Sequence, residues 1–295
     1  MLIDTHCHLD AAEFEADRDV VAQDAKQAGV GMMVIPAVEP SNFQSVMALS
    51  RQHAHCCYAL GMHPMYIEQA SPSHIKALGD LVAQTLQGEN KLVAIGEIGL
   101  DFFVTKENQE IQEYFFAEQL NIAKQFDLPV ILHVRRAVDE VLKHLRRTKV
   151  CGGIAHAFNG SPQQAQEFIK LGFKLGFGGA MTYSRALRIR ELAKNLPLEA
   201  IVLETDAPDI PPEWLGTKGR NAPNELAQIA QVLADLRGIP VSQIIEITGK
   251  NALEILPNLA ALCTPLEVLH YQWQKTLYQP MRYCKYLIFI IKKLD

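Results

Sequence analysis

Leu2-Ile3-Asp4-Thr5-His6-Cys7-His8-Leu9-Asp10 opens the chain with a short apolar run that passes into two histidines one residue apart. A strand alternates its faces with period two, so His6 and His8 point one way while Thr5 and Cys7 point the other. Two imidazoles converging from one strand end have the geometry of a metal-ligand pair. Taken alone, the same spacing is met more often as two ordinary buried or surface histidines. The choice rests on where the other histidines and carboxylates fall.

Outward from that stretch, short β-branched runs alternate with longer amphipathic segments. Strands are predicted at 2–6, 32–36, 57–61, 92–97, 129–133, 153–156, 173–178 and 200–205. Helical periodicity fills the intervals at 19–28, 43–53, 74–86, 109–126, 137–147, 162–171 and 186–196, and continues after the last strand at 224–237 and 241–256. Strand and helix in strict alternation make an α/β chain with a parallel sheet. Eight such units in one chain of 295 residues fit a single-domain (β/α)8 TIM barrel better than an open, doubly wound sheet. No dinucleotide-type glycine fingerprint follows an early strand, which points the same way.

The polar residues then fall into register with this frame. The first strand ends on His6 and His8, the fourth runs through Glu97, the fifth ends on His133, the sixth on His156, and the eighth delivers Asp206. The third runs into Gly61-Met62-His63-Pro64. In such a barrel every strand end of this kind opens on one face, where active sites sit. Four histidines and two carboxylates at one mouth are hard to explain by packing, because each would need its own buried partner. The set is a metal site.

These residues also carry a family likeness. The runs IDTHCHLD at 3–10, GMHP at 61–64, GEIGLDF at 96–102, ILHVR at 131–135, IAHAFNG at 154–160 and LETDAP at 203–208 together resemble the TatD family of the metal-dependent amidohydrolase superfamily. The resemblance implies a hydrolase domain over 1–257 and leaves 258–295 as a C-terminal extension outside it. It implies that His6, His8 and Asp206 hold one metal with Glu97 bridging, and that His133 and His156 complete a second site. By the same likeness His63 contacts a substrate phosphate. One departure stands out. The segment after the eighth strand reads Arg220-Asn221-Ala222-Pro223, where the family often has R-N-E-P, and the missing carboxylate is expected to affect substrate preference.

Two divalent ions, Mg2+, Mn2+ or Zn2+, about 3.5–4 Å apart can bind a phosphoryl oxygen and acidify a water, with Asp206 accepting its proton. Family likeness supplies the substrate class, a DNase, and the pocket form of a barrel mouth favours an exonuclease on single-stranded DNA ends; a 3′–5′ direction is the expectation to be tested, not something the pocket gives. The alternatives are a metal-dependent ester or amide hydrolase, such as a D-aminoacyl-tRNA deacylase, and a non-catalytic binding protein on the same barrel. Net charge is −5, so any nucleic acid would be held locally by metals and a few cations rather than by a basic surface. Arg135, Arg136, Arg185 and Arg220 are the cationic candidates, Arg220 foremost because it shares a loop with Lys218. His53, His55, His74, His144 and His270 fall on helices, helix ends or the tail and read as structural. Six cysteines without framework spacing, no signal-peptide pattern and no long apolar span make a reduced cytoplasmic protein the expectation, with DNA as its partner and no stable protein partner implied.

Overall fold

The computed structural model describes residues 1–68, 70–88, 91–103 and 108–263. Its eight strands are β1 (Leu2–Asp4), β2 (Val30–Pro36), β3 (Cys56–Leu60), β4 (Leu92–Asp101), β5 (Val130–Arg135), β6 (Gly153–Ala155), β7 (Phe173–Phe177) and β8 (Ile201–Leu203). They form one parallel sheet in sequential order. The helices are α1 (Arg18–Gln27), α2 (Phe43–Gln52), α3 (Pro72–Thr85), α4 (Gln109–Phe126), α5 (Val138–Arg147), α6 (Pro162–Lys170), α7 (Leu187–Asn195), α8 (Leu226–Arg237), α9 (Val241–Ile255) and α10 (Pro257–Cys263). One helix follows each strand, as the alternation predicts.

Local chemistry sets the helix ends. At α6, Ser161 Oγ accepts the Gln164 amide at 3.1 Å, and Pro162 takes the first helical position, where a missing N–H costs nothing. At the far end of α8, Gly238 turns left-handed at φ 65 and closes the helix. The strands are buried on both faces, which is why β2, β3 and β4 read as near-continuous apolar runs.

Past the strand ends, β8 and β1 are clasped into a seam. Thr5 donates to the Leu203 carbonyl from both its amide (3.1 Å) and its hydroxyl (3.0 Å). The Asp206 amide donates to the His6 carbonyl at 2.9 Å, and the His8 amide to the Ala207 carbonyl at 2.7 Å. Asp4 adds a side-chain clasp, accepting from the Thr205 amide at 3.0 Å and its hydroxyl at 2.6 Å. The result is the (β/α)8 barrel.

Several boundaries differ from the sequence expectation by two residues or more, and two of these bear on the site. β1 stops at Asp4 because the Asp4 carboxylate takes the His6 amide (3.2 Å) out of the ladder. β4 runs on past Glu97 to Asp101, pairing with β5 as far as Arg135. Gly99 makes that possible: at φ 151 it lies against β5 so closely that a β-carbon would overlap the His133 carbonyl oxygen.

The barrel belongs to a compact unit spanning Met1–Leu259. Of the extension at 258–295, only its first residues, in α10, are described; 264–295, with His270 and Cys284, lies outside the described residues. Among the described residues no helix is long and apolar enough to cross a membrane.

Candidate metal centre

Glu97 sits within β4, 2% exposed, and five imidazole nitrogens converge on its carboxylate. Oε2 lies 3.1 Å from His6 Nε2 and 3.5 Å from His8 Nε2. Oε1 lies 3.0 Å from His133 Nδ1, 3.2 Å from His156 Nε2 and 3.5 Å from His63 Nε2. Asp206 Oδ1 approaches the first pair, 3.5 Å from His6 Nε2 and 3.7 Å from His8 Nε2. Asp206 reaches this place through a left-handed backbone at φ 58, held by its amide bond to His6.

The imidazoles on the Oε1 side have a second partner behind them. His133 Nε2 is 3.0 Å from Asp101 Oδ2, so Asp101 fixes the ring and leaves Nδ1 for the centre. His156 Nδ1 faces Glu204 Oε1 at 3.5 Å, an ion-pair distance but not a hydrogen bond. Glu204 in turn accepts the Ala157 amide at 2.5 Å and lies over Gly176, where a β-carbon would overlap its carboxylate. His63 Nδ1 accepts the Met65 amide at 3.1 Å. A neutral imidazole that accepts at Nδ1 carries its proton on Nε2. Proximity alone groups His63 with Glu97 and His133 as possible ligands. The tautomer overrules that grouping: His63 presents an N–H to the centre, not a lone pair.

The donor set fits divalent metal ions. Clusters of His6, His8 and Glu97 and of His6, His156 and Asp206 each bring three ligand-type atoms within 4.8 Å of one another. His6 Nε2 and His8 Nε2 stand 3.2 Å apart, the His6 ring stacks on His156 at 3.9 Å, and His6 Nδ1 is buried with no hydrogen-bond partner. Crowding of lone-pair donors around buried carboxylates is what a cation relieves.

Among the side chains alone, burial and charge compete. Burial opposes ionisation of Glu97, but the surrounding His63, His6 and His156 outweigh it and hold the carboxyl well below the usual range. Burial pushes Asp206 up to about 6 and holds His6 well below the usual histidine value. At His156 the carboxylates of Glu97 and Asp206 overcome burial and lift the ring well above that value.

The structure therefore brings His6, His8, Glu97, His133, His156 and Asp206 together, with His63 at their edge. Arg220 lies apart from them. Its guanidinium is bound by Asp17 at 2.8 and 2.6 Å and by the Glu13 carbonyl at 2.8 Å. Ala222 is half-buried beside it, its amide bonded to Asn221 Oδ1. The remaining described histidines have local partners: His53 with Asp19, His55 with the Ala22 carbonyl, His74 with the Ser71 amide, and His144 with Glu113.

Sequence reasoning missed the supports. Besides Asp101 and Glu204, two buried glutamines on α4 each pair with both polar groups of one peptide residue. Gln119 accepts the Met62 amide (2.7 Å) and donates to its carbonyl (3.1 Å), steadying the residue before His63. Gln112 does the same for Asp101 at 2.8 and 3.0 Å. The one trace in the sequence is two amides seven residues apart on the apolar face of a helix, which does not by itself say what they bind. Asn221 is a third support, buried and donating to the carbonyls of Thr205 (2.7 Å) and Asp209 (2.8 Å).

Comparison with known proteins agrees with this geometry. Residues 3–257 match the family model described as TatD related DNase. An uncharacterized metal-dependent hydrolase of Escherichia coli K12, YjjV, is 42% identical over 251 residues, covering 84% of this chain and 95% of that protein. Its crystal structure superposes with a TM-score of 0.82 at 40% identity, covering 87% of this chain and 98% of that one. The human deoxyribonuclease TATDN3 is 35% identical over 269 residues, covering 88% of this chain and 96% of that protein.

Proposed function

The chain belongs to the TatD-related DNase family of metal-dependent hydrolases, and from that premise we propose that it is a two-metal DNase trimming single-stranded DNA from the 3′ end. One observation carries the reading: five imidazole nitrogens converge on a single buried carboxylate at a barrel mouth. The name of the human relative supports DNA as the substrate class.

In this reading His6, His8 and Asp206 would hold one ion and His133 and His156 the other, with Glu97 shared between the two sites. Mg2+, Mn2+ and Zn2+ all suit such a mixed set of imidazoles and carboxylates. Bound divalent ions polarise a phosphoryl oxygen and make a water acidic enough to attack near neutral pH. The side chains supply the rest. Asp206, 14% exposed where Glu97 is 2%, stands at the open edge and accepts the proton of the attacking water. His63, its Nε2 proton fixed by the Met65 amide, donates to a non-bridging phosphate oxygen. Arg220, its guanidinium taken up by Asp17 and the Glu13 carbonyl, is left out of this assignment. A strand end enters a barrel mouth more easily than the interior of a duplex does.

The test is to incubate metal-stripped protein with a 5′-labelled single-stranded oligomer and add back Mg2+, Mn2+ or Zn2+. A ladder shortening from the 3′ end is expected, and His6→Ala and Glu97→Ala should reduce it to background. Absence of cleavage with every metal, despite about two bound ions per chain, would overturn the nuclease. Ester and amide substrates would then come next, D-aminoacyl-tRNA first.

A further inference from the structure

Three side chains at the rim of the mouth play no part in the centre. Phe103, two residues past β4, is 47% exposed. The guanidinium carbons of Arg135 and Arg136 lie 3.9 and 4.5 Å from its ring centroid. Consecutive residues at a strand end ordinarily point to opposite faces. Here Arg136 adopts φ 54, a left-handed conformation uncommon for arginine, and that turn brings both guanidiniums to one ring. A backbone departure of this kind beside a binding mouth invites a functional explanation.

Charge points to the occupant. Both arginines are exposed, in a chain of net charge −5. The Asp101 carboxylate, 3.8 Å from Arg135, is already engaged by His133 and by the Phe103 amide at 3.0 and 2.9 Å. Arg136 has no carboxylate partner among the described residues. A guanidinium pair stacked on an exposed aromatic ring offers a base a π-surface and a phosphate an N–H fork, the combination that single-stranded nucleic acid requires. Position agrees as well, since β5 carries His133 into the centre and Arg135 two residues further out.

We propose that Phe103, Arg135 and Arg136 form a subsite for the nucleotide adjoining the scissile phosphate of single-stranded DNA. Its base stacks on the ring and guanidinium layer, and its phosphate accepts from the arginines. The proposal rests on the nuclease reading above.

The test compares a single-stranded DNA oligomer with bis(p-nitrophenyl) phosphate, a phosphodiester that has no neighbouring nucleotide, using the metal-loaded full chain. Phe103→Ala should lower the ratio of kcat/KM for the oligomer to that for the small diester about tenfold, and Phe103→Trp should restore it. Arg136→Ala should flatten the plot of log KM for the oligomer against log salt by about 0.7. An unchanged ratio in Phe103→Ala, on an oligomer that the wild type cleaves, overturns the subsite and leaves the nuclease standing. Equal losses on both substrates overturn it too, since the ring would then act through the fold. Wild-type protein that cleaves the small diester but no oligomer overturns both readings.

Discussion

The two sides of Glu97 are built differently. On the Oε1 side, His133 is backed by Asp101 and His63 by the Met65 amide, and His156 faces the Glu204 carboxylate at ion-pair distance. On the Oε2 side, His6 has no partner behind its ring, and His8 and Asp206 keep 18% and 14% of their side chains exposed. What holds that side is main chain: the Asp206–His6 and His8–Ala207 amide bonds across the seam, together with the Asp4–Thr205 clasp. One half of the centre is oriented by carboxylates behind its ligands, the other by backbone at the closure of the barrel. The first arrangement fixes ring tautomers. The second leaves the outer carboxylate room to exchange a proton.

Mutations that separate these two kinds of support test the contrast. The largest effect is expected at the open edge. Asp206→Asn should retain most of its metal while kcat falls about 10²–10⁴-fold, the range of a lost acid–base group. Metal content measured beside turnover checks this, and full activity would sink the proton-acceptor role.

Next come the carboxylates behind the rings. Asp101→Ala and Glu204→Gln should each cost about 10–100-fold in metal affinity or activity. Titration with metal should show the loss falling on one ion of two. Equal weakening of both would break the contrast between the sides.

A smaller change is expected at the seam. Thr205→Val leaves the buried Asp4 carboxylate short of its hydroxyl donor, and urea unfolding should register a loss of about 1–3 kcal/mol with the metal stoichiometry intact.

The smallest belongs to Asp17, which joins Arg220 across the same seam. The hydrogen bond from Arg220 holds the Asp17 carboxyl below its ordinary value, so its stabilisation is present above that value and lost as pH falls through the lowered one. Asp17→Asn should therefore lower Tm slightly at pH 7 and converge with the wild type in strong acid. A difference that persisted there would point to packing against Phe14 instead of charge.

The barrel was legible because its signals are periodic. All eight strands were read from short apolar runs, and the alternating His6 and His8 already pointed to one face. The ligand-type residues could be picked out because each was read at or near a strand end, where the fold alone decides which face it joins. The supports could not be found that way. Gln112 and Gln119 look like ordinary helix residues until α4 is laid against the ends of β3 and β4. Asp101 hid behind the expectation that β4 stops at Glu97, and only the close approach at Gly99 carries the strand far enough to bring it to His133. Arg135 and Arg136 were visible as charges, but nothing in the sequence signals the left-handed turn that stacks both on Phe103.

The seam has a consequence in time. His6 and His8 precede Asp206 and the strand that clasps them by about 200 residues, which synthesis covers in about 10–40 s at ordinary rates. Until then the two imidazoles lack Asp206 and the backbone that holds them. A ribosome-bound fragment lacking β8 is thus without one side of the centre, which is complete only when the end of the barrel has been made.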